Sequence, residues 1–263
     1  MADHMTQPLN DFAKDILEDG IIDADEVKKI KERIYEDGVI DREEADFLFM
    51  LNDGVSGKEN DSSWQGLFVE ALSDHVLKDE ESPNVLDADE SKYLMDKIKG
   101  DGKVDAIELA LLVNITATAE KCEDAFNTFV LTSVKDAVIE DGIVDKEEVE
   151  MLKKVVYGTG GGDGEGVSRE EADLIFDIND ATTDKTGHDP SWKTFFVEAL
   201  SKHVLEDEKS PNEIDEDEGD WLIKRIEGDG EYDENEKALL TAIKEKATKI
   251  EGKLKFKIDM FVG

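Results

Sequence analysis

One acidic phrase, Asp-Gly-x-hydrophobic-Asp-x-x-Glu, occurs five times: DGIIDADE at 19–26, DGVIDREE at 37–44, DGKVDAIE at 101–108, DGIVDKEE at 141–148 and DGEYDENE at 229–236. Each member has a job at a junction between two helices. In the first copy Gly20 can turn left-handed to end one helix, and Ile22 can staple the turn. Asp23 can N-cap the next helix, and Glu26 three residues on closes a capping box. The phrase therefore predicts helices joined by tight connections, and a chain that repeats it is expected to be all-α.

Apolar spacing agrees. Val27, Ile30 and Ile34, then Phe68, Leu72 and Val76, then Leu109, Leu112 and Val113 recur at helical intervals. Six helices are expected in the first half, near 9–18, 23–35, 41–51, 62–77, 87–99 and 105–119, with no competing strand pattern. The second half repeats the first: REEADFLFMLND at 42–53 returns as REEADLIFDIND at 169–180, and SWQGLFVEALSDHVLKDEESPN at 63–84 as SWKTFFVEALSKHVLEDEKSPN at 191–212. The offset is 122 at the first phrase and 128 from Trp64/Trp192 onward, so the insertions fall in loops, chiefly the glycine-rich 157–166. The expected organisation is a tag or disordered arm at 1–8, a first helical module at 9–124 and a second at 125–263, two duplicated bundles of about six helices each. The link falls around Glu120–Asp124, with a helix able to bridge it.

Charge narrows the classes of partner. With 68 acidic against 31 basic residues the net charge is −37, which repels nucleic acid and anionic membranes and attracts cations or a basic protein. Of the basic residues 27 are lysine, which fits poorly with a halophile's solvation strategy. Cys122 is the only cysteine, so a disulfide or thiolate metal site within the chain is excluded and a buried, inert thiol is expected. No apolar run is long enough to span a bilayer and the N-terminal residues lack a signal-peptide core, so a cytoplasmic location and no membrane insertion are expected.

The carboxylates of the phrase can also hold a hard cation. Asp at one place, Asp four on and Glu seven on, with Gly after the first, resembles the latter part of an EF-hand calcium loop. On that reading the candidate ligands are Asp19, Asp23 and Glu26; Asp37, Asp41 and Glu44; Asp101, Asp105 and Glu108; Asp141, Asp145 and Glu148; and Asp229, Asp233 and Glu236. The earlier ligand places hold Arg33 and Tyr35 in the second copy and Lys97 and Lys99 in the third. Six to eight oxygens cannot be assembled from these alone. In the second half Ser168 stands where Asp41 stood, a good cap and a poor ligand. The longer connection DEESPNVLDADE at 79–90 comes nearer, with Asp79, Glu81, Asp87 and Glu90 at four ligand places and Asn84 at the sharp turn. Its counterpart at 207–218 keeps Asp207, Asp215 and Glu218 but has Lys209 in place of Glu81. The expected cofactor is calcium, with magnesium second.

Helical bundles joined by such D-G-x-[IVF]-[DS]-x-x-E phrases resemble the tellurite-resistance TerB-like family, each half being similar to one such module. The resemblance implies a compact helical unit with acidic turns, linked to stress response and to divalent cations, and no catalysis. This chain departs from it in having several phrases per half and a Trp-containing helix.

Two further patterns bear on function. Phe-Val-Glu-Ala-Leu-Ser-x-His-Val places Glu70 with His75 and Glu198 with His203. Residues five apart on a helix point about 140° away from each other, so they cannot act as an acid–base pair within that helix. A buried histidine hydrogen-bonded to another helix is expected, and the chain reads as non-enzymatic. Trp64 and Trp192 are expected to anchor the core. The glycine run 158–166 lacks the Lys-Ser/Thr of a phosphate loop and carries Asp163 and Glu165, so it reads as an insertion. Lysine alternates with apolar residues over 236–262, the one basic stretch, which can dock on the chain's own acidic surface or on another copy, or form a terminal helix packed on the second half.

Overall fold

The computed structural model describes residues 4–79, 82–100, 102–158, 166–206, 211–228, 230 and 232–262. Of the sequence candidates, Glu81, Asp101, Asp207 and Asp229 lie outside the described residues, as do Lys209, Asp163 and Glu165. The protein is all-α, and the chain divides into compact units at 1–130 and 131–263.

The first unit runs α1 (Leu9–Ile16), α2 (Ala24–Ile34), α3 (Arg42–Val55), α4 (Ser62–Leu77), β1 (Val85–Leu86), α5 (Ala88–Ile98), α6 (Ala106–Thr118) and β2 (Lys121–Cys122). Helix α7 (Asp124–Val138) follows and carries the chain across the unit boundary. The second unit contains α8 (Lys146–Val156), α9 (Arg169–Thr182), α10 (Pro190–Leu205), β3 (Glu213–Ile214), α11 (Glu216–Ile226), α12 (Glu234–Lys246), β4 (Lys249–Ile250) and α13 (Gly252–Phe261). Bounds recur at fixed offsets: α2 and α8 are 122 residues apart, α3 and α9 are 127, and every pair from α4/α10 to β2/β4 is 128.

In each unit one long helix is the hub. Helix α4 packs on α2, α3 and α6, and α10 packs on α8, α9 and α12. Such a helix has a wide apolar face: Trp64, Phe68, Ala71, Leu72 and Val76 are wholly buried, while Gln65 and Glu70 stay exposed. Trp64 meets the expectation of a core anchor, its Nε1 donating to Asn52 Oδ1 at 3.3 Å. In the second unit Trp192 is buried against Phe195 and Phe196.

Two features differ from the sequence expectation. Two-residue strands pair in parallel, Val85–Leu86 with Lys121–Cys122 and Glu213–Ile214 with Lys249–Ile250. A strand this short has no period for a pattern search to find. The link expected at 120–124 precedes α7, whereas the boundary between units falls inside it, because one continuous helix bridges the two halves. Cys122 is buried, and burial pushes its thiol up to about 12.

Candidate metal-binding loops

Every described phrase forms its helix junction by the capping chemistry it spells. Gly20 and Gly38 have φ of +81° and +84°, which a side chain would make costly. Asp23 Oδ1 accepts the Glu26 amide at 2.8 Å, and Glu26 Oε2 accepts the Asp23 amide at 3.0 Å. The same reciprocal pair occurs at Asp41 and Glu44, Asp105 and Glu108, Asp145 and Glu148, and Asp233 and Glu236. Ser168 with Glu171, and Asp87 with Glu90 and Asp215 with Glu218 in the two longer loops, bring the boxes among the described residues to eight. The leading aspartates close their own turns: Asp19, Asp37 and Asp141 each accept the amide two residues on, at 3.1, 3.0 and 2.8 Å.

These carboxylates differ in what else they hold. Asp105 Oδ2 accepts Asn52 Nδ2 at 2.9 Å and Ser56 Oγ at 2.8 Å, and Asp233 Oδ2 accepts Asn179 Nδ2 at 2.6 Å and Thr183 Oγ1 at 3.0 Å. Both oxygens of Asp105 and of Asp233 are thus committed to protein donors, and Glu108 and Glu236 beside them are buried. Those two junctions are latches between helices. At the outer junctions burial first, then the neighbouring aspartates, raise Glu26, Glu44 and Glu148 above the ordinary glutamate range.

The 79–90 connection is built differently. Asp79 turns the chain, its Oδ1 accepting the Ser82 amide at 2.6 Å and its Oδ2 the Ser82 hydroxyl at 3.0 Å. Asn84 is left-handed at φ 63°, as the sixth place of a calcium loop demands, and its amide returns to the Leu77 carbonyl at 2.9 Å. Val85 and Leu86 enter the two-residue strand, and Glu120 N donates to Asn84 O at 2.7 Å. Asp87 then caps α5 with Oδ1, accepting the Asp89 and Glu90 amides at 2.9 and 3.0 Å. Glu90 accepts the Asp87 amide at 3.1 Å and is hydrogen-bonded to the Asp79 carboxyl. Burial, followed by the bond to Asp79, pushes Glu90 up to about 8, so at neutral pH the two carboxyls share a proton.

The counterpart loop repeats what is described of this. Asn212 is left-handed at φ 61°, its amide donates to Leu205 O at 2.8 Å, and Asp215 and Glu218 form the capping box at 2.9 and 3.0 Å. Among the described residues no group of three or more His, Cys, Asp and Glu is drawn together as a metal would require. The structure pairs the Glu90 carboxyl with that of Asp79, while Asp87 and Glu90 meet through their capping-box amides, and each described short phrase stays at its own helix.

The histidines are held by backbone. His75 Nδ1–H donates to Ile40 O at 2.8 Å and His203 Nδ1–H to Val167 O at 2.7 Å, and the rings lie edge-on to Tyr93 and Trp221. Glu70 pairs with Lys31 at 2.8 Å instead.

Comparison with protein-family models, with curated proteins and with solved structures finds no match. The TerB-like resemblance therefore rests on the acidic phrases alone. Sequence reasoning missed the Asn52–Asp105 latch and the Asp79–Glu90 carboxyl pair. The latch joins residues 53 apart, and only its recurrence as Asn179–Asp233 could have revealed it.

Proposed function

We propose that this is a non-enzymatic helical protein that binds divalent cations, calcium before magnesium, at the 79–90 loop and more weakly at 207–218, for stabilisation or sensing in a reducing, cytoplasmic setting. The observation that carries the reading is the Asp79–Glu90 carboxyl pair. Two carboxyls forced to share a proton at the end of a loop with a left-handed sixth residue form a place where a cation can replace that proton. Asp79, Asp87 and Glu90 are the side chains assigned to the ion, with Glu81 of the same loop as the fourth. The short phrases are assigned to capping. The tellurite-resistance resemblance adds a stress-linked role to the proposal.

A second reading has its own support. Ile21, Val39 and Ile143 sit exposed at three acidic turns, Val39 at 67%. Exposed apolar residues ringed by carboxylates suit a basic protein partner with an apolar centre.

Thermal melts of metal-stripped protein separate the two. Calcium should raise the melting temperature well above sodium chloride at matched ionic strength, by an amount equivalent to about 2.7 kcal/mol at a hundredfold excess over its dissociation constant. Equal rises in calcium, magnesium and sodium would reduce the effect to screening of the −37 charge and leave the scaffold reading.

A further inference from the structure

The second unit contains a cavity of about 470 Å³ between α8, α10 and α12, lined by Tyr157, Glu198, Ser201, Lys202, Glu206 and Lys246. The equivalent positions of the first unit are self-satisfied. There Tyr35 donates its hydroxyl to Asp74 Oδ2 at 3.1 Å, Lys78 pairs with Asp74 at 2.7 Å, Glu70 pairs with Lys31, and Asn114 Nδ2 donates to Ser73 Oγ at 2.9 Å.

Five replacements undo this arrangement. At the offset of 128, Asp74 becomes Lys202, Lys78 becomes Glu206, Asn114 becomes Ala242 and Thr118 becomes Lys246. Glu150 takes up Lys153, the counterpart of Lys31, at 2.8 Å, leaving Glu198 without it; the first unit has Lys28 at the position of Glu150. Ser201, 3% exposed, lines the cavity, and among the described residues its Oγ has no hydrogen-bond partner. Among the described residues the Tyr157 hydroxyl has no partner either, and neither Glu198 nor Lys246 has an ion pair within 4 Å. Lys202 reaches Glu206 only at 4.0 Å and lies 5.4 Å from the Tyr157 ring centre.

We propose that this cavity binds a small zwitterion carrying an ammonium and a carboxylate, of the size of an amino acid or dipeptide. The lining balances two lysines against two glutamates. A bare anion meets Glu198 and Glu206 within a strongly acidic chain, and a bare cation meets Lys202 and Lys246. A ligand bearing both charges satisfies Glu198 with its ammonium and Lys246 with its carboxylate, groups that do not reach one another across the cavity. Ser201 and Tyr157 supply hydroxyls, and burial of Ser201 without a partner is a cost that a ligand removes. The volume falls in the range of small-molecule sites.

Amide NMR of the full-length isotopically labelled protein, kept in EDTA, tests this with glycylglycine as probe and with acetate and methylammonium as its separated halves. Saturable shifts of the Tyr157 and Ser201 amides by glycylglycine, with a dissociation constant of about 1 mM or below, and no saturation by either half are expected. Ala242→Asn with Lys246→Thr installs the first unit's residues and should weaken binding at least tenfold without lowering the melting temperature. Lys246→Thr alone, at an exposed position, gives the same reading if the double variant folds poorly. Absence of saturation, equal binding of acetate or methylammonium, or unchanged affinity in the folded variants overturns the proposal.

Discussion

Glu90→Gln is the most direct perturbation of the carboxyl pair, because glutamine can still accept the Asp87 amide and keep the capping box while removing the charge. In the folded protein Glu90 is pushed from the ordinary 4.5 to about 8. A carboxyl whose folded value lies above its unfolded value carries an extra proton in the folded state, so folding stability is lost as pH rises from 4.5 through about 8. At about 1.4 kcal/mol per pH unit the interval sets a ceiling of about 5 kcal/mol. Glu90 is only half-buried, and solvent screening reduces this to about 1–2 kcal/mol. Metal-stripped wild type should therefore lose that much more stability than Glu90→Gln between about pH 5 and about pH 8, measured by urea unfolding in EDTA. Taking the difference between the two proteins cancels Glu26, Glu44 and Glu148, which are raised in the same direction. Saturating calcium at the upper pH should restore wild type and leave the variant unmoved. Parallel curves for the two proteins would refute the shared proton and remove the main support for a cation at this loop.

Capping and latching should separate in magnitude: Asp23→Ala should cost about 1 kcal/mol, and Asp105→Ala about 2–4 kcal/mol because it also strands the buried Asn52 amide. Equal losses in denaturant unfolding would show that the Asn52 bond adds nothing. Asn84→Gly should be neutral within a few tenths, whereas Asn84→Ala should cost about 1 kcal/mol at its φ of 63°; a neutral alanine in a thermal melt would argue against a strained turn. Cys122 should resist a thiol reagent in the native protein and react once unfolded, as a buried thiol pushed up to about 12 requires. Rapid native labelling would contradict that burial.

Local grammar made most helices legible. Asp23 with Glu26 and Asp87 with Glu90 are three-residue statements, and the boundaries they predict, 23–35 and 87–99, fall within one residue of α2 and α5. Helix α3 was expected to end at 51 and runs to Val55, because Asn52 and Val55 are buried and Ser56 bonds Asp105. That extension depends on a partner about fifty residues away, and no local signal encodes it. The two-residue strands escaped for a related reason: Val85 pairs with Lys121, and nothing in either dipeptide names the other.

The same separation limits what could be said of the site. In sequence the short acidic phrases look alike, since capping and cation binding call for the same residue types at the same spacing, and only the ligand places of 79–90 distinguish that longer loop. What sets them apart is the second oxygen of each carboxylate. At Asp105 and Asp233 it is taken by an amide and a hydroxyl from another helix, so a cation there would have to displace protein donors. At Asp79 and Glu90 the two carboxyls meet one another, so a cation there displaces a proton and the loop's own Ser82 contacts rather than donors from another helix. The longer connection makes this possible, because the left-handed Asn84 and the strand after it bring the loop's first residue back to its twelfth. A tight Asp-Gly turn has no such return. Loop length, more than the number of carboxylates, therefore separates the proposed ion site from the caps.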